Sequence, residues 1–500
     1  LTGVALMDDA LEMDGPFRIL LAGALHQHGR HIEANLEYTA GRTGNHYLAD
    51  IVGLIAIGAA LPGVPDADRW LLYGVQELAR EMEHQVLPDG ADIEGSTAYH
   101  AFVGEMFLAG TAIAARLPRS RRQQLASVRS GPVRNPLAPP LRPLEEQNFD
   151  LRKAELFPDT HYRRLEQMAE LAAELSKPDG CMPQVGDNDS GRVFRLVPPA
   201  DDLDSRQFPA AVGRMIARRD LERAGPHHGL HAALVWPDRA AAETLRTAAG
   251  RARDAGPSVV RRLSGPSDAR VAHYPDAGLV IVRRGPLYLL ANLGRIPARA
   301  PGGHFHNDVL GFELQWHGVD VVLDPGTFVY TPLPELRNAY RRTAAHSTVS
   351  VAAREQRLSP PPAAGLFLVV EDVADAGVDA LTVDRLAAHC AYGSVIHRRE
   401  WRWSDDTLEI RDHVEGGAAQ ACINLAPGIQ PGEPAETGGG WEVVVGLGNA
   451  AVRMRWEGVA RPEVVAGVYS RGYGRKMDNY ALRAVLRGAD ARIELRWEGP

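Results

Sequence analysis

A chain of 500 residues, 45% hydrophobic and 24% charged, is long enough for two domains with sizeable cores and too apolar to be broadly disordered. Its net charge of −8 excludes a general nucleic-acid binder, which carries a basic surplus, yet allows an anionic ligand in a local basic groove. Cys181, Cys390 and Cys422 form no CxxC pair and no disulfide framework, and no apolar run approaches the ~18–20 residues that span a bilayer.

The opening LTGVALMDDALEMDG carries acids and no basic stretch, which predicts no signal peptide. The first half then reads as helices. Residues 45–62 are rich in Ala, Ile and Leu and predict a helix buried on most sides. Leu71, Val75, Leu78, Met82 and Val86 recur at three- and four-residue steps, as do Leu165, Met168, Leu171 and Leu175, and Val103, Phe107 and Ile113 mark a further apolar helix between them. Between these segments, residues 127–148 are punctuated by Pro and Gly and predict a long exposed loop.

From about residue 260 the period becomes two. GLVIVRRG, LYLLANL, VDVVLD, LFLVVEDV, RREWRWSD, TLEIRDHV, WEVVVGL, AVRMRWEG, LRAVLRG and RIELRWEG are short alternating runs at close spacing, the pattern of a large antiparallel sandwich. No helix-length pattern alternates with them, which disfavours a βα barrel. The expected fold class is therefore α+β and multidomain: an all-α domain over residues 1–250 and an all-β domain over 251–500, with the boundary inside 240–265.

PGGHFHNDVLGFELQWHGVDVVLDPG, residues 301–326, concentrates the chemistry. His304 and His306 are one residue apart, so in extended backbone they face one side. Asp324 closes the next strand and His346 opens a later one. A His, an Asp and a His from neighbouring strands suit a Zn²⁺ site; taken singly, the same residues read as strand-end and turn residues. A cupin would place Glu four or five residues after the second His, whereas Glu313 is seven away. A barrel amidohydrolase would carry His-x-His early in the chain, followed by βα units.

Tyr99 opens an apolar helix, where packing is its default role. Glu94 reads equally as a cleft residue or a solvated carboxylate. Arg337, Arg341 and Arg342 are either a solvated face or holders of sugar acids. Asp187, Asn188 and Asp189 lack the glutamate of a calcium loop and read as a turn or cleft wall. His26, His28 and His31 read as surface or cleft residues.

Six stretches in order, GNHYLAD (44–50), DGADIEGSTAYH (89–100), MPQVGDNDSGR (182–192), GGHFHNDVLGFEL (302–314), VVLDPGTFVY (321–330) and YRRTAAHSTVSV (340–351), resemble the heparinase II/III-like polysaccharide lyases. The resemblance covers nearly the whole chain. It implies an N-terminal incomplete α/α toroid packed on a C-terminal antiparallel β-sandwich. It implies Zn²⁺ on His306, Asp324 and His346, His304 as catalytic histidine, Asn45 as the carboxylate-binding group with His46 assisting, and Tyr99 as catalytic tyrosine. We read the ion as structural, holding the strand that bears His304.

Such lyases cleave beside a uronic acid by β-elimination: the C5 carboxylate is neutralised, a base takes the C5 proton and an acid protonates the departing O4. A His base with a Tyr acid serves anti elimination and Tyr in both roles serves syn; the residues alone favour neither. The partner implied is an acidic polysaccharide or oligosaccharide, with no nucleic acid and no membrane; homo-oligomerisation is compatible with this reading. The family favours a periplasmic or secreted location. The competing readings are a non-catalytic glycan-binding or assembly protein of the same fold, and a Zn-dependent hydrolase.

Overall fold

Apolar residues at helical spacing, bounded by capping signals, produce the first half of the chain. The computed structural model describes residues 15–499 except 195–200, 226–227, 237–238, 255–257, 267, 295, 298, 301–302, 353 and 358–374. Helices α1 (Gly15–Ala34), α2 (Asn45–Ala60), α3 (Pro65–Gln85), α4 (Thr97–Ala115), α5 (Arg119–Leu125) and α6 (Asp159–Leu175) are followed by α7 (Gln207–Met215), α8 (Arg219–Ala224), α9 (Gly229–Val235) and α10 (Arg239–Asp254). Helix α3 begins with Pro65, carries Asp66 and Asp68 in its first turn and ends near His84, an arrangement that complements the helix dipole. Helices α2 and α4 are apolar nearly all round and lie inside the helical core, as their composition predicts.

The helices pack as successive neighbours: α1 on α2, α2 on α3 and α4, α4 on α6 and α7, α6 on α10. Residues 127–148 form the expected loop, exposed or half-buried over most of its length, but it is pinned at two buried points. Asn135 and Leu141 are buried, the Asn135 amide donates to the Leu36 carbonyl (2.8 Å), and the Arg142 N–H donates to Gln76 Oε1 (2.8 Å). These polar anchors leave no periodic trace, so the segment reads as loop while lying pinned across the helices.

Two buried histidines make this half acid-sensitive. His100 Nε2 donates to the Met168 carbonyl (3.0 Å) and His161 pairs with the Thr111 hydroxyl (2.8 Å). Burial pushes the His100 imidazole down to about 4 and His161 down to about 3. Both values lie below the ~6.5 of an unfolded chain, so their contribution is complete above that pH and drains away as pH falls toward 4 and 3. Each is expected to cost at most about 2 kcal/mol by pH 5. Denaturant unfolding at pH 7 and pH 5 tests this: His161→Asn should flatten the difference, and identical slopes in variant and parent would refute it.

The last helix of the first half ends at Asp254 and the first strand begins at Arg261; one further short helix, Pro334–Arg341, lies within the β half. Strands β1 (Arg261–Ser264), β2 (Arg270–Tyr274), β3 (Leu279–Arg284), β4 (Leu287–Asn292), β5 (Gly311–Trp316) and β6 (Val319–Val322) form a six-stranded antiparallel meander in chain order. A nine-stranded antiparallel sheet is drawn from residues 375–498, and a four-stranded sheet joins Val349–Val351, Ala419–Asn424 and the hairpin Glu463–Gly472/Arg475–Val485. The run LFLVVEDV lies outside the described residues.

The meander is covered on both faces. Leu287, Leu289 and Ala291 of β4 enter the β core with Trp401 and Trp456, while Tyr288 and Leu290 meet Leu171, Leu175 and Ile93 of the helical half. Alternating side chains thus glue two different domains, each buried large apolar side chain contributing about 1.5–3 kcal/mol. Polar clasps border this seam. Tyr288 donates to the Leu175 carbonyl (2.9 Å), Arg283 donates to the Glu174 and Ser176 carbonyls (2.8 and 2.6 Å), and Asp89 accepts the N–H groups of Asp276 and Ala277 (both 2.8 Å).

Candidate active site

The helical half supplies one wall of a polar cluster at the seam. Gln85, on the last turn of α3, donates to the Gly44 carbonyl (3.1 Å) and to Glu81 (2.7 Å), and Thr43 donates to Glu81 (2.6 Å). This fixes the approach to Asn45, the first residue of α2. Asn45 donates its backbone N–H and its amide Nδ2 to the two oxygens of Glu94, at 2.7 and 2.6 Å. Glu94 is 1% exposed and sits in the turn before α4.

Gly95 follows with φ +71, and a Cβ there would lie 2.1 Å from the Phe305 ring. Glycine is needed at that point because the two halves touch backbone to ring. Ser96 caps α4 by accepting the Tyr99 N–H (3.2 Å) and donates its hydroxyl to the Asp187 carbonyl (2.5 Å). Tyr99 is thereby set one turn into the helix, and its hydroxyl donates to Asp189 (2.8 Å).

The β half supplies His304, which stacks on Tyr99 with ring centroids 3.7 Å apart at 22°. The Tyr330 ring lies near-parallel to His304 as well, at 5.7 Å. Both His304 nitrogens face carboxylates, Nδ1 at Asp187 (3.2 Å) and Nε2 at Glu94 (3.3 Å). Asp187 is the hub. One of its oxygens also meets His306 Nε2 (3.1 Å), and Arg337 donates to the other. Burial alone would raise its carboxyl, but the bonds from His304 and His306 and the Arg337 charge outweigh burial and hold it well below the usual range. Burial first, and the Asp189 charge second, push the Tyr99 phenol up, so it stays protonated at neutral pH.

A second constellation adjoins the first. One donor atom each from His306, Asp324 and His346 lies within 4.8 Å of the others, and all three residues are buried. His346 Nδ1 is 2.6 Å from Asp324. His306 Nδ1 and His346 Nε2 are buried without a hydrogen-bond partner among the described residues. Two unpartnered buried imidazole nitrogens beside a carboxylate form a donor set that fits a divalent metal. Asp187 holds the far nitrogen of His306, as orienting carboxylates do at metal-ligating histidines.

Asn45, Glu94, Tyr99 and His304 therefore converge, and His306, Asp324 and His346 cluster beside them. His46 does not join them: its imidazole is exposed and paired with Glu37 (2.8 Å). The arginines also differ from the expectation. Arg337 lies over the Tyr330 ring at 3.9 Å and serves Asp187. Arg341 is buried and donates to the Phe305 carbonyl (3.2 and 3.0 Å). Arg342 is exposed. Two of the three are internal struts, because each finds a buried acceptor across a turn that spacing does not reveal. Asp187 and Asp189, read from the sequence as a turn or cleft wall, and Tyr330, which the sequence did not single out, also join the cluster. Asp187 and Asp189 had a signal in MPQVGDNDSGR, where closely spaced acids with Gly and Asn looked like turn chemistry.

Profile comparison matches residues 266–498 to "Heparinase II/III-like, C-terminal" and residues 10–124 to "Heparinase II/III N-terminus". A heparin-sulfate lyase of Pedobacter heparinus is 24% identical over 314 residues, covering 62% of this chain and 36% of that protein. Among solved structures, a heparinase III superposes with TM-score 0.61 at 15% identity over 95% of this chain and 64% of the other. A mutant of the heparan sulfate lyase HepC from Pedobacter heparinus does so with TM-score 0.58 at 17% identity, over 95% and 63%. At these identities the structures establish the fold. The chain spans about a third of the curated relative's length and less than two thirds of each structure's.

Proposed function

This chain belongs to the heparinase II/III-like family, and on that footing we propose that it is a polysaccharide lyase that cleaves uronic-acid-containing glycans by β-elimination. The observation that carries this reading is the stack of Tyr99, from the helical half, on His304, from the β half, beside the Asn45–Glu94 pair. Glu94 holds the backbone N–H and one amide hydrogen of Asn45. The second amide hydrogen is left to donate to a uronate carboxylate, where charge grows as C5 loses its proton.

Tyr99 suits the acid role. Its hydroxyl is kept protonated by burial and Asp189, ready to hand a proton to the departing O4. His304 suits the base role at C5. Asp187 at Nδ1 fixes the ring and favours the tautomer whose Nε2 lone pair accepts the proton. Glu94 at Nε2 then has to yield that nitrogen to substrate. This division favours anti elimination. Acidic glycosaminoglycans are the proposed substrate class. Ultraviolet absorbance of a C4–C5 unsaturated product from heparan sulfate, chondroitin sulfate or hyaluronan tests the reaction. Chain cleavage without that chromophore would instead indicate hydrolysis, and binding without cleavage a glycan-binding protein.

His306, Asp324 and His346 are the proposed Zn²⁺ ligands. A bound ion would supply charge and directional coordination that fix the loop bearing His304. His306→Ala is expected to remove about one zinc per chain, read by elemental analysis, and to lower thermal stability, since structural metal binding is linked to folding. A variant with full metal content would take His306 out of the ligand set.

A further inference from the structure

Two non-glycine residues beside the cluster adopt left-handed backbone, Ser190 (φ 60) and Phe328 (φ 65). Ser190 follows Asp189, the partner of Tyr99, and Phe328 precedes Tyr330, the neighbour of His304, by two residues. Strained backbone of this sort persists where surrounding contacts impose it, and it gathers at ligand sites.

The tip of the hairpin Glu463–Gly472/Arg475–Val485 grips both points. The Tyr473 N–H donates to Ser190 Oγ (3.1 Å), and the Gly474 N–H donates to the Phe328 carbonyl (2.7 Å). Arg471 pairs with Asp201 (2.6 Å) and Arg475 with Asp202 (2.7 Å), so those two charges are spent on anchoring the tip. Lys476 is different. Its ammonium stands 4.0 Å over the Phe328 ring, and among the described residues no carboxylate pairs with it. Tyr473, in the turn of the same hairpin, is 41% exposed and belongs to neither core.

We propose that this tip is a saccharide subsite at the edge of the Tyr99–His304 cluster, in which Tyr473 and Lys476 hold an anionic sugar residue flanking the cleaved linkage. This deepens the lyase reading and rests on it for the direction of the chain. An ammonium poised on an aromatic ring recognises a carboxylate or a sulfate, and an exposed tyrosine offers the apolar face that a pyranose ring lacks a partner for in water. The left-handed residues tie the tip to the two loops that carry the Tyr99 and His304 partners, so a sugar held there is registered against the acid and the base.

Calorimetric binding of a heparan sulfate hexasaccharide and of a hyaluronan hexasaccharide to the full chain tests this, in a Tyr99→Phe background that stops turnover. Adding Lys476→Met should weaken binding about fivefold and flatten its salt dependence, Tyr473→Ala should weaken it similarly, and Lys476→Arg should restore it. Loss on both hexasaccharides would assign the contact to a carboxylate, and loss confined to heparan sulfate would assign it to a sulfate. Affinities within about twofold of the background for both Lys476→Met and Tyr473→Ala, or no binding of either hexasaccharide, would overturn the subsite. Lys476-dependent binding by a wild type that makes no unsaturated product would keep the subsite and remove the lyase reading.

Discussion

Tyr99→Phe is expected to lower kcat by at least about a hundredfold while the chain folds normally and still binds saccharide. The substitution removes one oxygen. Its ring remains stacked on His304, and the helix cap at Ser96 uses backbone and is untouched. The hydroxyl donates to Asp189, a half-buried carboxylate that water can solvate once the phenol is gone, so the loss of stability should be at most about 1–2 kcal/mol. Rates on saturating polymer and a melting curve check both halves of the claim. A variant that keeps more than a tenth of the parental kcat would show that the leaving oxygen takes its proton elsewhere.

Asp187→Ala is expected to be the most damaging single change to stability, at about 3–5 kcal/mol. Its carboxylate is fully buried and meets His304, His306 and Arg337 together. Removing it takes the Asp187 charge away from the buried Arg337 guanidinium, which also meets the Gly303 carbonyl and the Tyr330 face. Denaturant unfolding measures the cost. Combining Asp187→Ala with Arg337→Met should recover part of it, because the buried charge rather than the missing contact dominates. A single-variant loss below about 1 kcal/mol, or no recovery in the double variant, would mean that water solvates this hub and that its role is smaller than its burial implies.

The broad plan of this molecule was written in periodicity, because both kinds of element bury one set of side chains against something. Leu71, Val75 and Leu78 announce a helix before any partner is known, and Trp401 and Trp456 announce strands. What periodicity does not carry is the identity of the partner. LYLLANL alternates faithfully, yet nothing in it says that Leu289 meets other strands while Tyr288 meets a helix. The site was legible to the same extent. Asn45, Tyr99, His304 and the His306–Asp324–His346 set stand in stretches that resemble the family, and they do come together. The basic cluster at Arg337, Arg341 and Arg342 was misjudged because charge is a property of a residue, whereas a buried acceptor such as Asp187 or the Phe305 carbonyl is a property of the fold. His46 failed for a related reason. Successive residues on a helix point about 100° apart, so the neighbour of a site residue turns away from it.

The meander from Arg261 to Val322 is shared property: one face belongs to each half of the chain. Neither half, expressed alone, would keep its surface, since the helices would bare Ile93, Leu171 and Leu175 and the strands Tyr274, Ile281 and Tyr288. A chimera that exchanged one half for a relative's would therefore have to carry this seam with it. Otherwise Tyr99 and His304, which ride on opposite sides of the joint, would be set at whatever spacing the mismatched surfaces happened to allow.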